Sequence, residues 1–205
     1  MHFFDTIFLL NERGIRSMRL VFLALSFVAT TAYCTGNEAD VKKFVQNEEL
    51  EMHHKIENQE KKFFIGLELR TDNQRCSLEM PAHKEKFFSQ NILAKIPNKI
   101  SGDVLAVYTD YEGDYTQPYS WILGVEVSSL DEIPVGLVGK EIPESKYAVF
   151  TTEGEFPQGL IAAWQAIWQS DLSRSYTTDF EVYSSDFDPQ KNPEVKVFIA
   201  IQREL

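Results

Sequence analysis

Phe180-Glu181-Val182-Tyr183, followed by Asp186-Phe187, repeats an earlier block of the same chain: Leu105-Ala106-Val107-Tyr108, followed by Asp110-Tyr111. In an extended strand successive side chains alternate between faces. Phe180 and Val182 therefore share one face, and Glu181 and Tyr183 the other. The earlier block obeys the same rule, with Tyr108 in register with Tyr183 and Ala106 in register with Glu181. The repeat extends outward on both sides. Each block runs through a polar turn into an apolar strand, Ser120 to Val127 in the first case and Val195 to Ile201 in the second. Upstream of each lies an apolar helical stretch, Phe87 to Ile96 and then Pro157 to Leu172. Further upstream lie strands around Phe64–Leu69 and Val135–Lys140. The offset is about 75 residues, too long for a solenoid and suited to a duplicated unit.

Within Pro157 to Leu172, the apolar residues Leu160, Trp164, Ile167 and Trp168 fall at i, i+4, i+7 and i+8, one face of a helix that has proline near its start. Core packing is the expectation for the two tryptophans. A clear strand, Lys146 to Thr151, precedes this helix; Tyr147 and Val149 share one of its faces. The fold class that follows is α+β: duplicated β-α-β-β units with pseudo-twofold symmetry, an antiparallel sheet and helices on one side. The apolar Phe180/Val182 face is expected to pack on a helix, leaving Glu181 and Tyr183 on the free face. The seam between halves is where a cleft is expected. If that face is plain solvent, Glu181 is an ordinary surface acid. If it lines the cleft, Glu181 is a desolvated carboxylate fit to bind a cation or to move a proton.

Outside the repeat, three arginines (Arg13, Arg16, Arg19) precede the apolar run Leu20 to Ala29, and Thr30-Thr31-Ala32 follow. That order reads as a secretory leader over 1–34, with Met18 an alternative start. The run is too short for a comfortable transmembrane helix. Residues 35–62 read as a polar, partly helical spacer, and 63–205 as the domain. The expected location is periplasmic or secreted. A disulfide between Cys34 and Cys76 suits such a compartment. Tyr33 is not the small residue that usually precedes a lipidated cysteine, so a lipid anchor at Cys34 is the weaker reading.

The net charge of -11 argues against a nucleic-acid partner, which needs a basic face. The sequence holds no P-loop, no dinucleotide glycine fingerprint, no zinc-spaced Cys/His set and no G-x-S-x-G elbow, so no cofactor and no metal are expected. His83 is the one histidine between 63 and 205, which leaves His-based triads without a partner set.

The ordered set Gly136-Leu137-Val138, Tyr147-Ala148-Val149-Phe150 with Gly154, Ala163 to Trp168, Ser175-Tyr176 and Asp179 to Tyr183 resembles the gyrase-inhibitor-like (GyrI-like) effector-binding domains. These belong to the bacterial transcription activator effector-binding superfamily. Tyr108, Asp110, Tyr111, Gly113 and Gly124-Val125-Glu126-Val127 match the first half of such domains. The resemblance implies that the two units share one concave antiparallel sheet, with a cleft at the pseudo-twofold lined by aromatics around an acid, and Glu181 matches that acid. It implies Tyr108, Trp121, Tyr147 and Tyr183 as ligand-binding walls and a lipophilic or cationic small molecule as partner. Some stand-alone members are similar to hydrolases, for which Glu181 and Tyr183 are the catalytic candidates. Regulators of the family carry a DNA-binding helical segment ahead of the domain, whereas the tail here is short and acidic, so the chain is expected to resemble the stand-alone branch; a monomer is expected. Three readings stay open: a binding module, a hydrolase, and a periplasmic protein-interaction module.

Overall fold

The computed structural model describes residues 53–202. The leader, most of the spacer and Cys34 lie outside the described residues. Eight strands and three helices follow one another: β1 (His54–Gln59), β2 (Lys62–Thr71), α1 (Cys76–Ser89), α2 (Ile92–Lys95), β3 (Val104–Thr109), β4 (Tyr119–Val127), β5 (Val138–Ile142), β6 (Ser145–Thr151), α3 (Gln158–Gln169), β7 (Thr178–Tyr183) and β8 (Val195–Ile201). The architecture is α+β. All strands form one sheet in the order β1-β6-β8-β7-β3-β4-β2-β5, and every pairing is antiparallel.

The order has a consequence for shape. β1 and β2 are joined by Glu60 and Lys61 alone, yet they lie six places apart in the sheet. Three Cα–Cα steps span about 11 Å at most. Pro143 and Glu144 join β5 to β6 across the same gap. The sheet must therefore bend until its two ends approach each other. An ion pair from Lys61 to Glu141 at 3.6 Å ties the first connection to β5.

Bending divides the apolar residues into two clusters. The larger takes one face of the sheet together with the helices. It includes Cys76, Met80 and Phe87 of α1, Leu160, Ala163, Trp164 and Ile167 of α3, and Ala106, Tyr108, Trp121, Tyr183 and Val197 of the strands. On α1 the buried positions Cys76, Met80, His83 and Phe87 follow the i, i+4, i+7, i+11 stripe of an amphipathic helix. Asp72 accepts from the backbone N–H groups of Gln74 and Arg75 ahead of that helix. The second cluster uses strands only: Phe64, Leu105, Val107, Ile122, Ile142, Tyr147, Val149, Phe180, Phe198 and Ala200.

Three expectations need correction here. Phe180 does not pack on a helix; it stacks on Phe198 at 4.5 Å in the strand-only cluster, and Glu181 and Tyr183 face the helices instead. Alternation separates the two faces but does not say which one the helices cover. The bent sheet covers its own apolar face. Secondly, the end of the segment read as a spacer contains β1, which pairs with β6 from His54↔Phe150 to Gln59↔Ser145. Its mostly exposed, polar side chains hide a strand whose contribution is its backbone. Thirdly, the strand expected at Val135–Lys140 is shifted to Val138–Ile142, because Gly136 at φ 83° and the Pro134–Leu137 turn precede it.

Candidate functional site

Glu181 lies on β7 at the junction of the two halves, where β7 pairs with β3. Its cross-strand partner on β3 is Ala106. Only 4% of Glu181 is exposed. Three donors converge on it. Tyr108 Oη donates to Oε1 at 3.0 Å, Trp164 Nε1 to Oε1 at 2.8 Å, and Tyr183 Oη to Oε2 at 2.6 Å. An ionised carboxylate is acceptor-only and has four lone-pair directions, so it takes all three. The donors come from three separate elements: β3 of the first half, and α3 and β7 of the second. Tyr108 and Tyr183 hold corresponding positions in the repeated blocks, and both are turned onto the single acid.

Desolvation of such a group without partners would cost several kcal/mol in order of magnitude. Here the donors compensate it. Burial, and then the charge and hydrogen bond of Glu181, push the Tyr183 phenol well above its ordinary range. Tyr183 therefore stays a donor through physiological pH.

Trp121 stands across β3–β4 from Tyr108 and extends the aromatic wall. Its indole N–H is buried and has no partner among the described residues. His83 packs edge-on against it at 5.7 Å and donates Nε2–H to the Leu67 carbonyl at 2.9 Å. Burial holds the His83 imidazole below its ordinary pKa. The ammonium of Lys84 lies 5.5 Å from the Trp121 ring centroid. Burial pushes its pKa down to about 8, opposed by the charge of Glu181.

Of the five residues expected in one cleft, four are brought to the same face: Tyr108, Trp121, Glu181 and Tyr183. Tyr147 is not among them. It lies in the strand-only cluster, 5.2 Å from Phe180 and 6.1 Å from Phe198, on the opposite face of the sheet. β6 presents Ala148 and Phe150, not Tyr147 and Val149, to the helix side. Burial pushes the Tyr147 phenol up, and its hydroxyl has no partner among the described residues.

Sequence reasoning missed two members. Trp164, read as core, is core and the third donor to Glu181 at once. Lys84 on α1 carried no pattern. A further buried charge shares the face of Glu181 two residues back. Asp179 is fully buried, pairs with Arg174 Nη2 at 2.6 Å, and accepts from Tyr111 Oη at 3.0 Å and from the Ala200 N–H at 2.8 Å. Arg174 also lies over the Tyr176 ring at 4.5 Å. Period-two alternation from Glu181 marks Asp179, but nothing local marks Arg174 as its partner.

The chain matches the family model described as Cass2, integron-associated effector binding protein, over residues 55–201. It is 28% identical over 152 residues to YobU of Bacillus subtilis (strain 168), described as a transcriptional regulator, covering 69% of this chain and 93% of that one. Among solved structures, the integron cassette protein VCH_CASS2 of Vibrio cholerae is similar with TM-score 0.57 and 27% identity, over 73% of this chain and 95% of that one. SAV2435 bound to tetraphenylphosphonium gives TM-score 0.59 over 74% and 94%; at 15% identity the likeness is one of fold.

Proposed function

The chain belongs to the integron-associated effector-binding protein family, and we propose that it is an exported module that binds a lipophilic cation with Glu181 as the counter-charge. The domain itself is of the GyrI-like effector-binding type, a small-molecule-binding fold. One observation carries the finer reading. The buried carboxylate of Glu181 is held by donors from both halves and from α3, namely Tyr108, Trp164 and Tyr183, and Trp121 belongs to the same cluster as those three rings. A weakly hydrated organic cation gains both from the charge and from aromatic faces once water is excluded. The unpartnered N–H of Trp121 adds a donor for an acceptor atom on the ligand. The tetraphenylphosphonium bound to SAV2435 is a ligand of this class.

Calorimetric titration with tetraphenylphosphonium and with neutral triphenylphosphine oxide tests the reading. Saturable binding of the cation, weakened at least about tenfold in Glu181→Gln while the neutral compound is unaffected, is the expected result. Equal affinity for both compounds, or an unchanged affinity in Glu181→Gln, refutes the anchor. The hydrolase alternative needs Glu181 to pass a proton to substrate. The three donors converging on it favour a standing acceptor.

Export rests on the leader-like order of Arg13 to Ala32. Cell fractionation with N-terminal sequencing decides it. A chain starting between Thr30 and Asn37 in the periplasm or medium supports export, and an unprocessed cytoplasmic chain overturns it.

A further inference from the structure

We propose that Lys84 is the resident cation of this site: its ammonium takes the place of an organic cation over Trp121, and a ligand reaches the charge of Glu181 by displacing it. The inference rests on the cation-binding reading above and names the residue that sets its selectivity.

Three observations place Lys84 there. It is half-buried on α1, the helix that packs on the Glu181 face. Its ammonium lies 5.5 Å from the Trp121 ring centroid, the geometry of a cation–π contact. The charge of Glu181 acts on it and favours its protonated form. The elements packed around this spot contribute few other charges. α3 runs Gln158 to Gln169 without an ionisable side chain. On α1, His83 is held below its ordinary pKa and is engaged with the Leu67 carbonyl. Tyr108 and Tyr183 are donors to Glu181, and Asp179 is paired with Arg174.

A resident ammonium raises the threshold for entry. Small, strongly hydrated cations lose more hydration than they recover by replacing it. Bulky organic cations of delocalised charge bring apolar area as well, and they win the exchange. The ligand class is therefore narrowed from cations in general to large apolar ones.

Lys84→Met keeps the stem and removes the charge. Tetraphenylphosphonium, whose charge does not titrate, should bind Lys84→Met about tenfold tighter than the unaltered protein. Raising the pH from about 7 to about 9 should tighten binding to the unaltered protein, as Lys84 loses its proton, and leave Lys84→Met flat. A ligand-free measurement is independent of this. The Lys84 side-chain NMR titration midpoint should fall in Glu181→Gln, because the attraction that favours the charged form is gone. Unchanged or weaker binding in Lys84→Met overturns the proposal, as does an unmoved Lys84 midpoint in Glu181→Gln. If Glu181→Gln abolishes binding while Lys84→Met leaves it unaltered, the anchor stands and the role of Lys84 falls. No tetraphenylphosphonium binding to either protein overturns both.

Discussion

Ala106 lies directly across the β3–β7 ladder from Glu181, and both face the helices. In the repeated blocks these two positions correspond, so the two halves meet with a methyl group from one and a carboxylate from the other. Two acids there would repel each other, and two alanines would leave Tyr108, Trp164 and Tyr183 without an acceptor. The asymmetry is what makes one central charge. Ala106 is 1% exposed, so there is no room to grow. Ala106→Leu should destabilise the fold by about 1–3 kcal/mol through overpacking. It should also displace the Glu181 side chain, seen as loss of tetraphenylphosphonium binding. Ala106→Gly, which adds no volume, should keep the binding. Urea unfolding together with calorimetry separates the two effects.

The donors to Glu181 should behave as a coupled set. Tyr108→Phe and Tyr183→Phe each remove one hydrogen bond to a charged group and should cost about 1.5–3 kcal/mol. Glu181→Leu orphans three donors and should cost more than either single change. Combining Glu181→Leu with Tyr183→Phe should cost less than the sum of the two, because the phenol no longer needs an acceptor. Strict additivity in chemical denaturation would show that the bonds do not act together.

The Arg174–Asp179 pair should matter for folding far more than the exposed pairs. Its side chains are 5% and 0% exposed, whereas those of Arg70 and Glu112 are 39% and 59% exposed. Asp179→Ala leaves Arg174 buried without its counter-charge and also deprives Tyr111 and the Ala200 N–H of an acceptor. A loss of about 3–5 kcal/mol is expected. Glu112→Ala should cost no more than about 1 kcal/mol. Equal effects on the unfolding midpoint would contradict the burial assigned to the pair.

Stability should fall on mild acidification because of His83. Burial holds its folded pKa below 6.5, so the unfolded chain takes up a proton first as pH drops. Stability is therefore full above about pH 6.5 and is lost as pH falls from there through the folded value. His83→Gln, which can still donate to the Leu67 carbonyl, should flatten the profile between about pH 6.5 and pH 5. A midpoint that falls as steeply in His83→Gln as in the unaltered protein would assign the slope elsewhere.

Much of this arrangement was legible in the chain because it depends on short-range periodicity. Alternation grouped Glu181 with Tyr183, and the repeated block brought Tyr108 to the corresponding place. The helical stripe placed Trp164 correctly as core. What failed depends on which elements meet. Phe180 falls on the other side from the one expected because alternation divides a strand into two faces without saying what covers each, and Tyr147, which only the family resemblance assigns to the cleft, goes with it. The covering of the Phe180 face comes from the bend of the whole sheet, a non-local property set by the short 60–61 and 143–144 connections. Lys84 and Arg174 were invisible for a similar reason. A lone basic residue on a helix or loop has no local signature of burial, and each acquires its role from a partner brought by another element.

The same non-local origin applies to β1, and it leads to a prediction about where the domain starts. His54–Gln59 is mostly polar and exposed, and its composition points to a spacer. Its backbone nonetheless pairs with Ser145 to Phe150 of β6, whose other neighbour is β8. Without β1, β6 becomes an uncovered edge bearing Tyr147, Val149 and Phe150, an edge of the kind that recruits other chains. Two truncations differ by residues 53–62, which hold β1, the Glu60-Lys61 connection and Lys62 at the start of β2. A chain beginning at residue 53 should fold and remain monodisperse. A chain beginning at residue 63 should unfold at lower urea and aggregate on concentration, as read by light scattering. Its loss should not be restored by placing a charged tail before residue 63, because such a tail brings no strand to pair with β6. Equal stability and dispersity of the two truncations would return the boundary to residue 63 and reduce β1 to an ornament on the edge.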